Sequence, residues 1–183
     1  MNNIIYINRR KNGGGVIMNI FEVAKYFLNT MPMTHKKLQK LCYYAYVWYY
    51  LLNNKRLFSN KFEAWEHGPV DPDLYQEYKK YKYHTIEKHY DLDIDEEIEA
   101  FLNMIIDKYG DLDAGDLEDL SHSEKPWIVA RGDKLSFESS NDPIEDRDIK
   151  EFYLNEYGDI SKQEVNFKEK IKEYRQAELL CLT

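Results

Sequence analysis

Five histidines are the first side chains to test for chemistry: His35, His67, His84, His89 and His122. None stands in HExxH or another paired helical spacing that would hold zinc. The run Ser121-His122-Ser123-Glu124 places a hydroxyl, an imidazole and a carboxylate in one stretch. That is half of an acyl-transfer constellation, but no GxSxG elbow accompanies it to expose a nucleophile. Alone, Ser-x-x-Glu is the spacing of a helix cap. Neither GxxxxGK[ST] nor GxGxxG occurs, so no phosphate-cradling loop is signalled. The acidic group Asp107, Asp111, Asp113, Asp116, Glu118 and Asp119 lacks the glycine-centred spacing of a calcium loop and reads as a solvated face. Cys42 and Cys181 are far apart with no CxxC, which excludes a disulfide framework and a cysteine zinc site as organising features. No catalytic set, metal site or cofactor is therefore expected. The one catalytic reading these residues allow is a hydrolase using His67, His122 and Glu124.

The frame that must position such residues is a globular one. The chain has 183 residues, 43% hydrophobic and 32% charged, which suits one domain with a short appendage. Mean hydropathy is -0.70. No stretch reaches the ~20 apolar residues of a membrane span, and no secretory signal opens the chain. A cytoplasmic protein without a membrane partner is expected. Residues 1–90 carry 14 Lys and Arg against 7 Asp and Glu, a balance of +7, and residues 91–183 carry 11 against 26, a balance of -15. Either the two halves neutralise each other by packing, or each face serves a different partner. With a pI near 5.2, binding to a bare nucleic-acid backbone is not expected. Sixteen tyrosines within 15% aromatics suit both a core and an interface, since each buries area and keeps a hydroxyl.

Periodicity predicts a mainly α fold, with seven or eight helices and one small β element. Residues 1–17 have no helical period and end in Gly13-Gly14-Gly15. One reading is a mobile arm. The favoured one is a non-translated leader: three glycine codons spaced from Met18 as a ribosome-binding site is from a start codon. Ile20, Val23, Ala24, Phe27 and Leu28 form the stripe of a first helix, which Pro32 stops. Thr34 caps a second helix over about 35–52. Its Leu38, Leu41, Ala45, Tyr49 and Leu52 make one stripe, but Tyr43, Tyr44, Tyr46, Trp48 and Tyr50 add aromatics all round. Such a helix is buried on most sides and is expected to be the hub. A short strand or hairpin is expected within 57–65, closed by the turn His67-Gly68-Pro69. Further helices are expected from Asp71-Pro72 to about Tyr81, from Asp95 to Gly110, from Leu112 to Ser121, around Trp127, and over 143–157. A short strand is expected at 135–137, and a charged final helix over 161–180 with Phe167, Ile171 and Tyr174 on one stripe. Trp48 and Trp127 are expected in the core.

Two segments are more specific than surface requires: Phe62 to Val70 (FEAWEHGPV) and Leu120 to Trp127 (LSHSEKPW). With LQKLCYYAYVW at 38–48 before them, they resemble the SocA-like antitoxin family, the Panacea domain. The family pattern runs LQKLLYYA…W, then F…EAW..GPV…LY, then LSH.E.PW..AR. Here Phe58, FEAWEHGPVDPDLY at 62–75 and LSHSEKPWIVAR at 120–131 follow in that order, and Cys42 replaces the usual aliphatic residue. The resemblance spans about 19–158. It implies a non-enzymatic, often prophage-borne antitoxin whose partner is a cognate protein toxin. Two modes stay open: neutralisation by direct binding, and delivery of the toxin to a ClpXP-type protease. The expected organisation is a leader over 1–18, the antitoxin domain over 19–158 and an accessory helix over 159–183.

Candidate partner-binding residues are Lys36, Lys37, Lys40, Tyr44, Trp65, His67, Gly68 and Pro69. Together they would make an aromatic patch at a rigid turn with a cationic rim. The remaining motif residues are expected to lock the fold. These are Leu38, Gln39, Leu41, Tyr43, Trp48, Ala64, Val70, Leu74, Tyr75, Ser121, His122, Glu124, Pro126 and Trp127.

Overall fold

A computed structural model describes residues 18–158 except Ser136. Helix α1 (Ile20–Thr30) starts in a capping box between Asn19 and Glu22. Helix α2 (His35–Asn53) is capped by the Thr34 hydroxyl, which accepts from the Lys37 amide. Every residue of α2 from Leu38 to Tyr49 is buried. The ring of aromatics forces this: a helix apolar on all sides has no face to give to water. Strands β1 (Glu63–Trp65) and β2 (Gly68–Val70) follow, then α3 (Pro72–Tyr78), extended by a 3-10 turn over Lys79–Tyr81. Helix α4 (Glu96–Tyr109) is capped by Asp95, and α5 (Ala114–His122) by a capping box of Asp113 and Asp116. Helices α6 (Lys125–Arg131) and α7 (Asp146–Tyr157) complete the described residues.

The hub touches α1, α3, α4, α5, α7 and β2. Its aromatics bind these neighbours specifically. Tyr44 stacks on Tyr109 of α4 with ring centres 4.2 Å apart. The Trp48 indole N–H donates to the Tyr109 hydroxyl at 2.6 Å, and its ring meets Tyr153 of α7 edge-on. Tyr49 meets Phe101 edge-on at 5.2 Å. The fold is therefore mainly α with one two-stranded antiparallel hairpin, and Trp48 and Trp127 lie in its core.

Three expected elements differ. The strand expected within 57–65 is confined to Glu63–Trp65, because Leu57, Phe58 and Phe62 turn into the core instead of alternating. The helix expected over 143–157 begins only at Asp146. Residues 142–144 serve the outer edge of β1 instead: the Ala64 amide donates to Asp142 O and the Ile144 amide to Phe62 O. The strand expected around 135–137 is absent among the described residues. A turn stands there, closed by the Glu138 amide donating to Leu135 O. The leader over 1–17, the final helix over 161–180 and Cys181 lie outside the described residues.

The charge asymmetry is matched by ion pairs between the two halves. Lys36 pairs with Glu118, Arg56 with Asp146 at 2.7 Å, and Lys61 with Glu145 at 3.8 Å, and the His67 ring hydrogen-bonds to the same Glu118 at 2.8 Å.

Candidate partner-binding cleft

Gln39 and Lys40, adjacent on α2, hold the end of the hairpin. The Gln39 amide donates to Asp71 O at 3.0 Å and accepts from the Asp71 amide at 2.9 Å. Asp71 in turn caps α3 by accepting from the Leu74 amide. The Lys40 ammonium, 1% exposed, donates to His67 O and to Pro69 O. Burial first, and then neighbouring Lys36, push the Lys40 amine well below its ordinary pKa. Gly68 lies directly over this amine at φ +88°, and a Cβ there would sit 2.6 Å from Lys40 Nζ and from Ser121 Oγ.

The second motif locks onto the other strand. The Trp127 indole N–H donates to Trp65 O at 2.9 Å, and His122 stacks on the Trp127 ring at 4.1 Å. The Arg131 guanidinium lies 4.9 Å from the same ring. Arg131 also donates to Ala64 O at 3.0 Å and to Glu138 O at 2.7 Å. It thereby fastens the loop after α6 to the hairpin.

Between these supports opens a cleft of about 800 Å³. Its walls come from the start of α2, the hairpin, α3, residues 82–83 and residues 139–141. His35, Tyr75 and Trp65 form a continuous aromatic wall, edge-on at 5.8 Å and 5.0 Å. Lys36 and Lys82 supply cations, Lys40 a buried amine, and Glu63 and Glu66 carboxylates. Clefts of this size with a few polar groups on an apolar wall are where proteins receive ligands and anchor side chains.

The cleft brings together Lys36, Lys40, Trp65 and His67 of the expected binding residues. Lys40 is a correction to the expected cationic rim, because the hairpin carbonyls draw its amine into the interior. Tyr44 is also corrected: it is fully buried against Tyr109. Lys37 points elsewhere, donating to Gly110 O at 2.6 Å at the end of α4, where a cation meets the carbonyls left free by the helix. Gly68 and Pro69 are buried beneath the turn and do not line the cleft.

Ser121 and Glu124 do not form the expected cap. The Ser121 hydroxyl donates to Glu118 O, and Glu124 makes no cap bond on α6. The Glu124 carboxylate turns inward, where the Tyr44 hydroxyl donates to it at 3.5 Å. After burial, it is the main cause that raises the pKa of Tyr43, Tyr109 and Tyr153. Of the hydrolase candidates His67, His122 and Glu124, only His67 lines the cleft. Among the described residues no group of His, Cys, Asp or Glu could hold a metal ion.

Sequence reasoning missed Lys82, Tyr83, Arg131, Glu118 and Ser139 to Asn141 as parts of the site. Arg131 closed the LSHSEKPWIVAR motif and could have been read as a clamp. Glu118 lies on α5 in the acidic group read as a solvated face, and the loops that carry Lys82, Tyr83 and residues 139–141 have no periodicity to betray their neighbours.

His122 gives the cleft's support a pH dependence. Burial, followed by the charge of Lys40, lowers its pKa from 6.5 to about 4. The unfolded chain therefore binds a proton that the folded chain refuses. Stability should be constant above about pH 6.5, fall as the pH drops toward 4, and level off below that. Allowing for partial solvation of the ring, the loss should be about 2 kcal/mol. Urea melts at neutral and acid pH should show it, and the His122→Phe variant should lack this component of the slope.

No helix among the described residues is long and apolar enough to cross a membrane. No curated protein and no solved structure matches the chain. Residues 38–128 match the family model described as antitoxin SocA-like, Panacea domain. The match runs from the start of the buried part of α2 to α6, narrower than the expected 19–158. It takes in the hub, the hairpin with its turn at Glu66 and His67, and the His122–Trp127 stack that supports it. On that match the chain belongs to the SocA-like antitoxin family, the Panacea domain.

Proposed function

We propose that the protein neutralises a cognate toxin by binding it directly through this cleft. The carrying observation is the cleft itself: a preformed aromatic wall beside cations, built by the family's own motifs onto a rigid helix. Preformed walls lower the ordering cost of association, so such a surface suits tight protein recognition. The role needs no cofactor and no chemistry, and it is exercised in the cytoplasm, where the toxin is made.

The test is co-expression with the product of the toxin reading frame that neighbours the gene. Growth should be rescued, and the two proteins should co-purify as a stable complex. Toxin that instead disappears in a ClpXP-dependent way would establish the protease-adaptor mode and overturn direct neutralisation.

The binding unit on this reading is the segment 19–158, with 159–183 an accessory to it. Phe167, Ile171 and Tyr174 make only a narrow stripe among alternating charges. Ending the chain at Ile160 should therefore cost about 1–3 kcal/mol. A melt of the truncated protein checks this, and global unfolding would show that the tail belongs to the core.

A further inference from the structure

We propose that the cleft receives an acidic segment of the protein partner, with a carboxylate seated at its lysine end and a neighbouring aromatic side chain on the Trp65–Tyr75 wall. This rests on the direct-binding reading and names the partner's chemistry.

The charges around the cleft sort by place. Glu63 accepts from the Trp65 indole N–H, and Glu118 is taken up by Lys36 and His67. Glu66 stands at the exposed hairpin loop. The buried Lys40 holds only backbone carbonyls, and at the exposed rim no acid is paired with Lys82. The Nδ1 of His35, buried in the same wall, has no hydrogen-bond partner. The lysines act on the groups beside them. Lys36 disfavours protonation of His35 and Lys40, and Lys40 disfavours protonation of His122, each after burial. Like charges held together in a low-dielectric recess favour an incoming anion.

The rim adds a second observation. Lys82 sits at φ +50°, ψ -121°, a region that costs a side-chain-bearing residue strain. That backbone carries Lys82 and the 80%-exposed Tyr83 along the cleft wall. Neither side chain contributes to the core, although the turn they occupy returns the chain so that buried Ile86 meets Met33. The turn leaves a cation and a ring in place for a partner. The rest of the surface works in the same direction. The balance of -15 over residues 91–183 repels an acidic partner elsewhere and steers it to the cleft.

The experiment measures the affinity of the full chain for the neighbouring toxin. Lys82→Glu and Tyr83→Ala are tested beside Lys55→Glu, which lies at the far end of α2. All three sites are exposed, and equal melts confirm the fold. Each cleft variant should bind about tenfold or more weakly, and Lys55→Glu should bind as the parent does. Parent binding should weaken between about 50 and about 300 mM salt, and Lys82→Glu should flatten that dependence. Overlapping peptides of the toxin should bind only where an Asp or Glu adjoins an aromatic residue. Unchanged affinity in both cleft variants, selection of basic peptides, or a small molecule retained in the cleft by native mass spectrometry would overturn the proposal. Those results leave direct binding standing. A parent that forms no complex at all overturns both.

Discussion

Replacing Gly68 by alanine should destabilise the protein by about 3 kcal/mol and reshape the cleft, because two penalties meet at one atom. The backbone stands at φ +88°, where an L side chain is strained, and the new Cβ would lie 2.6 Å from Lys40 Nζ and Ser121 Oγ. Neither neighbour retreats freely. Lys40 is buried and donates to the carbonyls on both sides of Gly68, and Ser121 is fully buried with its hydroxyl on Glu118 O. Gly132 is the internal comparison. It has φ +58° but open space around its Cβ position, so Gly132→Ala should cost only the strain, about 1 kcal/mol. Chemical denaturation of the two variants checks the difference. Equal small losses would show that the hairpin end is not held as described.

Trp48→Ala should be the most damaging single change in the hub, at about 3–5 kcal/mol. Trp48 is 3% exposed, packs on Tyr153 and Tyr157, and donates its indole N–H to Tyr109. Truncation removes a large ring from a close-packed interior and takes the indole partner from the Tyr109 hydroxyl. It also loosens α4 and α7 from the hub together. Trp48→Phe keeps most of the volume and should lose less than half as much. A thermal melt of Trp48→Ala that overlays the parent would contradict this placement.

The hub was legible because burial on every side leaves a signature in one window: aromatics all round a helix have no soluble reading. The caps were legible for the same local reason. Thr34, Asp71, Asp95 and Asp113 each satisfy amides within three residues of themselves. Long-range pairings were not. Residues 143 and 144 read as helix because nothing near them in sequence reveals that β1 has an open edge to fill. Lys40 read as a rim cation because its carbonyl partners lie 27 and 29 residues away. Glu124 read as a cap residue because the tyrosines it faces belong to other helices. The motif residues could be named from the sequence, whereas the cleft they enclose also depends on Tyr83 and on the loop that Arg131 holds.

The most direct measurement is amide hydrogen exchange on the protein alone and in complex with its toxin. The expected result is new protection at residues 34–40, 63–67, 82–83 and 139–141, the segments that wall the cleft, with α4 and α7 unchanged. Protection confined to the acidic face of α4 and α5, with the cleft segments exchanging as in the free protein, would contradict the central claim that this cleft is where the antitoxin holds its partner.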